Sequence, residues 1–238
     1  MEQTVQPWNK EGQEKRQAVQ SMFAQIAGKY DRLNAVMSLS LHHKWRQRAV
    51  ELLQLQPGQK ALDVCCGTGD FLPPLNDKVG PSGLVTGIDF CLPMLSQAKD
   101  KFGTRRLSLG DACALPVQSE KFDAVTAGWG IRNVPDIDTA HREIFRVLNH
   151  GGRFASIDMS KPRNPILRVV SNFVTRRLLP LLGSVFGQKS AYTYLPESTQ
   201  KFKSRLELVD SMERAGFVDV KYHDLFFGQI CIHFGRKP

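Results

Sequence analysis

No run of about 18 uninterrupted apolar residues occurs in the 238-residue chain, so no segment reads as membrane-spanning. The amino-terminal stretch, with Glu2, Trp8, Glu11 and Glu14, lacks the apolar core of a secretory signal. Cysteine is scarce and odd in number, five residues with no Cys-x-x-Cys and no Cys/His pair at zinc spacing. Adjacent Cys65 and Cys66 are poorly placed to bridge one another. Reduced thiols in a cytosolic compartment and a soluble or membrane-peripheral protein are therefore expected. No internal repeat or low-complexity tract is present. No Gly-Lys-Ser/Thr follows a glycine turn, which excludes a P-loop.

What is present is an ordinary globular composition, 42% hydrophobic, long enough for one sizeable domain with an added subregion. The net charge of +9 points to anionic partners: a membrane surface, nucleic acid or an acidic ligand. From about Gln17 the pattern is helical, with Val19, Phe23 and Ile26 spaced for one face. Tyr30-Asp31-Arg32-Leu33-Asn34 reads as a break, and Leu41–Leu53 as a resumed helix carrying Trp45 and Val50. This segment suits either a lid or an ordinary packing pair. Strands are expected at Ala61–Cys65, Leu84–Asp89, Leu107–Leu109, Phe122–Ala127 and Gly152–Asp158. Helices are expected at Met94–Phe102 and at Ile137–Leu148, the second ended by Gly151-Gly152. Such alternation predicts an α/β, doubly wound parallel sheet.

Lys161 to Ser190 departs from that rhythm, interleaving Ile166, Leu167, Val169, Val170, Phe173, Leu178 and Leu182 with Arg163, Arg168, Arg176 and Arg177. A basic amphipathic helix can lie in a membrane interface, and it can equally face a core with its arginines solvated. A helix over Ser204–Ala215 and strands near Phe217–Tyr222 and Gln229–Phe234 complete the reading. The expected organisation is a helical lid at 1–55, a cofactor-binding α/β core at 56–160, a helical insertion facing substrate and membrane at 161–203, and completion of the sheet at 204–238.

The stretch Ala61-Leu62-Asp63-Val64-Cys65-Cys66-Gly67-Thr68-Gly69-Asp70 is a strand running into a glycine turn, where open α/β sheets bind nucleotides. A dinucleotide loop wants a third glycine, but Leu72 stands there and Asp70 would repel a pyrophosphate. A sulfonium ligand has the opposite needs. Asp63 suits the amino-acid end of S-adenosylmethionine, Asp89 the two ribose hydroxyls, and Asp111 the exocyclic amine of adenine. Three carboxylates at successive strand ends form one constellation.

Asp63-x-Cys65-x-Gly67-x-Gly69, Asp89-x-x-x-x-Met94-Leu95 and Gly110-Asp111-Ala112 resemble the first motifs of class I S-adenosylmethionine-dependent methyltransferases. More narrowly, the chain resembles the ubiquinone/menaquinone biosynthesis C-methyltransferases over roughly residues 20–235. That match rests on Tyr30-Asp31-x-x-Asn34, Gly67-Thr68-Gly69-Asp70, Gly130-Ile131-Arg132-Asn133-Val134 and Arg146-Val147-Leu148-x-x-Gly151-Gly152. Ser160-Lys161-Pro162 and Tyr192-x-Tyr194-Leu195-x-x-Ser198 extend it. Cys65 stands where the family often has Ala or Gly, and Pro196 where it often has a non-proline residue.

The resemblance implies a mostly parallel seven-stranded sheet and S-adenosyl-L-methionine as methyl donor, with no metal. It implies a cofactor site of Tyr30, Asp63, Cys65, Gly67, Thr68, Gly69, Asp89, Phe90, Met94, Asp111 and Ala112. Asn34, Tyr192 and Tyr194 would line the pocket of a polyprenylated quinol. Carbon is a poor nucleophile, so the acceptor must be a reduced quinol whose phenolic proton is removed. Arg132, fixed by Asp70 and Asn133, would assist that loss and steady the phenolate. Demethylmenaquinol is the favoured acceptor, a polyprenyl benzoquinol the alternative. The resemblance also implies cytoplasmic placement, peripheral membrane association and a homodimer. A nucleic-acid methyltransferase would share the cofactor site, but Ala127-Gly128-Trp129-Gly130 stands where base-amine enzymes carry Asn/Asp-Pro-Pro-aromatic, so no nucleic-acid partner is expected. A non-catalytic cofactor-binding scaffold is disfavoured by the intact Asp63, Asp70, Asp89 and Arg132.

Overall fold

A computed structural model describes residues 10, 12–103, 106–173 and 189–238. Three helices, α1 (Gly12–Ile26), α2 (Tyr30–Ser38) and α3 (His42–Leu52), precede β1 (Lys60–Val64). There follow α4 (Leu72–Val79), β2 (Leu84–Asp89), α5 (Leu92–Phe102), β3 (Leu107–Leu109), β4 (Phe122–Gly128), α6 (Ile137–Val147) and β5 (Leu148–Met159). The chain continues through α7 (Pro165–Phe173), α8 (Lys189–Lys201), α9 (Arg205–Arg214), β6 (Val218–Leu225) and β7 (Ile230–Arg236).

The strands form one seven-stranded sheet in the order β3-β2-β1-β4-β5-β7-β6. The first five run parallel, and β7 pairs antiparallel with both β5 and β6. Strand order reverses between β1 and β4, and in open α/β sheets the crevice at that reversal receives the ligand. The segments Leu62–Val64, Val125–Ala127 and Phe154–Ile157, apolar but for Asp63, Thr126 and Ser156, are buried on both faces because helices cover both sides of the sheet.

Local chemistry explains the departures from the sequence reading. Tyr30–Asn34 does not break the helical run; it opens α2, and the break is a tight 3₁₀ turn at Ala27–Lys29. Pro73 and Pro74 occupy the first turn of α4, where a missing N–H costs little, so this eight-residue helix leaves no periodic signature. Gly151-Gly152 lies inside β5; α6 ends at Val147 and the chain turns straight into strand, with an irregular register against β4. Pro196 sits inside α8. Of the basic amphipathic stretch, Pro165–Phe173 is helical with Ile166, Val169, Val170 and Phe173 exposed, whereas Arg176, Arg177, Leu178 and Leu182 lie outside the described residues. No helix among the described residues is long and apolar enough to cross a membrane.

Candidate functional site

The carboxyl ends of β1 to β4 surround a cleft of about 630 Å³, open solvent included, with an adjoining recess of about 280 Å³. Tyr30, Cys65, Gly67 and Gly128 line both spaces. The glycine turn after β1 is tightly built. Gly69 has φ +85°, and a side chain there would press on Leu72, Ala98 and Phe102 at 3.0–3.1 Å. Cys65 is itself left-handed (φ +56°), as is Trp129 across the cleft (φ +52°), a strained backbone held by its surroundings.

The strand-end carboxylates are fixed by the backbone. Asp89 accepts from Gly67 N and Cys91 N at 2.8 Å each, which ties the glycine turn to β2. Burial pushes its carboxyl up to about 6 despite those bonds. Asp63 is buried between β1 and β4, accepts from Thr126 Oγ1 at 2.7 Å, and is pushed by burial up to about 8. Its Oδ2 has no hydrogen-bond partner among the described residues. Asp111 accepts from Cys113 N at 2.9 Å and pairs with Arg16 of α1 at 3.3 Å. Phe90, Met94 and Ala112 line the same cleft.

Helix α1 is strapped over these strand ends. Besides Arg16, Lys15 Nζ donates to Val134 O at 2.7 Å and Gln20 Nε2 to Phe90 O at 2.6 Å. On α2, Asp31 accepts from Thr68 Oγ1 at 2.6 Å and from Lys101 Nζ at 2.8 Å. Lys101 also reaches Asp70 at 2.8 Å, so one cation joins α2, the glycine turn and α5.

One expected relationship is corrected. Asp70 does not hold Arg132. It pairs with Arg46 of α3 at 3.3 Å and with Lys101, and these cations outweigh burial to hold its carboxyl below the usual range. Arg132 is held by Asp158 at the end of β5, at 2.5 Å, with both side chains buried, and it also donates to Trp129 O at 3.0 Å. Burial works against the guanidinium charge, but the Asp158 carboxylate outweighs it and raises the arginine's pKa. Asn133 donates to Trp129 O at 2.9 Å and accepts from Tyr194 OH at 2.5 Å. Burial pushes the Tyr194 hydroxyl up to about 12, so it stays a donor. Asn133 lines the cleft. Asn34 sits on α2 within hydrogen-bond reach of Tyr30. Tyr192 falls within α8, and its side chain lies outside those described.

Arg46, Lys101 and the α1 straps carry no motif that sequence spacing would flag. Asp158 did carry a signal: β5, like β1 and β2, ends in a carboxylate.

The model of the ubiE/COQ5 methyltransferase family matches residues 10–237. The chain belongs to this family. It is 39% identical over 229 residues to a demethylmenaquinone methyltransferase of Listeria monocytogenes, covering 94% of this chain and 97% of the relative. It is 39% identical over 226 residues to one of Staphylococcus aureus, covering 93% and 94%. The fold matches a SAM-dependent methyltransferase of Thermotoga maritima (TM-score 0.67, 21% identity, 92% of this chain and 100% of that one). It also matches one of Aquifex aeolicus (TM-score 0.57, 20% identity, 80% and 88%).

As a member of the ubiE/COQ5 methyltransferases, the chain uses S-adenosylmethionine, and its residues fit that molecule. The apolar cleft with Asp89 and Asp111 suits a nucleoside, and the buried, unpartnered Asp63 Oδ2 suits a donor on its amino-acid end. Among the described residues no three His, Cys, Asp or Glu gather as a metal group.

Proposed function

We propose that this chain methylates a ring carbon of a polyprenylated demethylmenaquinol. The observation that carries this reading is the 39% identity, over nearly the whole of both chains, to relatives named for that activity. S-adenosylmethionine supplies a methyl group activated by its sulfonium charge. The chain's part is to hold the acceptor carbon in line with that methyl and to favour loss of the phenolic proton.

In this reading Tyr30, Asn133 and Tyr194 border the acceptor. The Arg132–Asp158 pair acts as a positioning unit that fixes the loop from Trp129 to Asn133. The guanidinium's charge reaches both Tyr30 and Tyr194, favouring an anion among them, although Asp158 offsets part of that field. A water held near Asn133 takes the phenolic proton, and the ring carbon forms its bond to the methyl as the methyl–sulfur bond breaks and its electron pair returns to sulfur, leaving S-adenosylhomocysteine. The ring proton at that carbon then passes to water to restore aromaticity and the phenolate takes a proton back, so that one proton is released overall.

The acceptor's polyprenyl chain resides in a bilayer, and the exposed apolar residues of α7 offer a membrane-facing surface. Ile166 is 74% exposed and Val169 69%, flanked by Arg163 and Arg168, and Phe227 at the β6–β7 turn is 73% exposed. This combination supports peripheral binding to an anionic membrane surface.

The test is incubation of the pure protein with methyl-labelled S-adenosylmethionine and either reduced demethylmenaquinone or a reduced polyprenyl benzoquinone lacking the ring methyl. Label in the naphthoquinol is expected. Label only in the benzoquinol would move the assignment to that acceptor, and label in neither would overturn it.

A further inference from the structure

Two phenylalanines in succession turn the chain from β6 into β7 with left-handed backbones, Phe226 at φ 45° and Phe227 at φ 57°, followed by Gly228 at φ 82°. A bulky residue seldom adopts that conformation, and where it does the surroundings must hold it. Here the holder is Arg205, the first residue of α9. Its Nη2 donates to Gly228 O at 2.7 Å, its Nε to Asp224 at 2.5 Å and its Nη1 to Lys161 O at 2.8 Å. One guanidinium thus pins the turn both to the end of β6 and to the segment leading into α7. Phe226 is nevertheless 41% exposed and Phe227 73%. The strained turn does not bury these rings; it presents them at the surface.

The rings continue inward. The Phe227 ring lies 5.8 Å from that of Phe226, which lies 5.7 Å from the Trp45 ring of α3. Trp45 in turn lies 6.4 Å from Trp129, which lines the cleft with Tyr30 and Asn133. Because β7 is antiparallel to both its neighbours, β6 runs in the direction of β5, and its carboxyl end lies on the cleft's edge of the sheet. A line of four rings therefore follows that edge from the cleft to solvent. Trp45 and Trp129 are only half-buried, so apolar surface remains along the line.

We infer that this aromatic line is the track for the isoprenoid tail of the acceptor, which enters past Phe227 and Phe226 and reaches the cleft at Trp129. The inference rests on the quinol reading above and deepens it. A ring held beside the methyl group must send its tail out of the cleft, and surface removed from water along the way favours binding. Aromatic side chains supply large apolar contact with few rotatable bonds, so ordering them costs little. The outer end of the track lies beside the lead-in to α7, through the shared contacts of Arg205, so the tail emerges on the face that carries the exposed apolar residues of that helix.

The test is made in vesicle-free buffer, where membrane attachment plays no part. Wild type, Phe227→Ser and Phe226→Ala are compared on two acceptors, a reduced naphthoquinone bearing a farnesyl tail and the same ring without one. They are compared also for binding of farnesol, a tail without a ring, read by tryptophan fluorescence. The wild type should prefer the tailed acceptor in kcat/KM. Each variant should lower that preference, and weaken farnesol, by about 3- to 10-fold, the scale of losing part of one aromatic side chain's burial, with S-adenosylhomocysteine affinity unchanged. A variant that lowers both acceptors equally overturns the inference, as does one that leaves the preference and farnesol binding intact. A dimer that Phe227→Ser converts to monomer would assign the rings to a contact between copies of the chain and also overturn it. A wild type that methylates neither acceptor strikes the quinol reading instead, and the farnesol comparison then decides the track by itself.

Discussion

Cys65 and Gly130 face each other across the opening between β1 and β4. A β-carbon on Gly130 would overlap that of Cys65 and lie 2.9 Å from its sulfur. Both atoms are fixed to backbone, so neither can rotate away. Gly130→Ala should therefore spread the strand ends, lowering stability by about 1–3 kcal/mol and weakening S-adenosylhomocysteine binding. Because Cys65 is left-handed, Cys65→Gly in the same molecule removes both the overlap and the strain, and should restore most of the binding. Urea unfolding and calorimetric titration of the single and double variants check this.

The Arg132–Asp158 pair is buried on both sides, so removing one partner strands a charge. Asp158→Asn should cost about 3–5 kcal/mol, and replacing both residues by leucine should cost less than either single change. Arg132→Ala should sharply lower turnover while leaving S-adenosylhomocysteine affinity near normal. Unchanged turnover in a folded Arg132→Ala protein would remove Arg132 from the reaction.

Cofactor binding should depend on pH through Asp63 and Asp89. Burial holds both in their protonated forms to higher pH than in the unfolded chain, up to about 8 and about 6. Their contribution to stability is therefore full below the ordinary value of 3.8 and is lost as pH rises through about 6 and then about 8. A ligand carrying ammonium and sulfonium charge favours the ionised forms, so affinity for S-adenosylmethionine should rise over the same range. Binding near neutrality should release protons, seen as a dependence of the heat on the buffer's ionisation enthalpy. Asp63→Asn should weaken binding and abolish the upper part of the pH dependence.

The exposed face of α7 should bind anionic vesicles in a salt-sensitive manner. Ile166→Asp with Val170→Asp should reduce vesicle co-sedimentation several-fold and leave S-adenosylhomocysteine affinity unchanged. Equal binding to neutral vesicles, or none to anionic ones, would count against the membrane contact.

The parts of this molecule that were legible in its sequence are those encoded locally. The runs ending at Val64, Asp89 and Ala127 declare buried strands because apolar side chains cover both faces. The glycine turn declares itself because a β-carbon on Gly69 would meet its neighbours at 3.0–3.1 Å, in a backbone conformation that side chains rarely adopt. What escaped the reading is set by distant pairing. Arg132 meets a carboxylate 26 residues on, and Asp70 meets a cation 31 residues on, and no spacing rule links them. The placement of β7 between β5 and β6 is likewise a property of the closed sheet. Arg46 sits on a helix whose sequence reads as plain amphipathic packing, and its pairing with Asp70 appears only in the closed fold.

The straps of α1 carry a consequence for how the protein is made. Lys15, Arg16 and Gln20 find their partners at residues 90 to 134, so the helix is synthesised about a hundred residues before anything it can grip. Alone in water a helix of 15 residues is marginal, and contacts this distant in sequence form late in folding. Helix α1 is thus made before its partners and docks late. During synthesis it stays open to proteases and to chaperones until residues 90 to 134 have followed it.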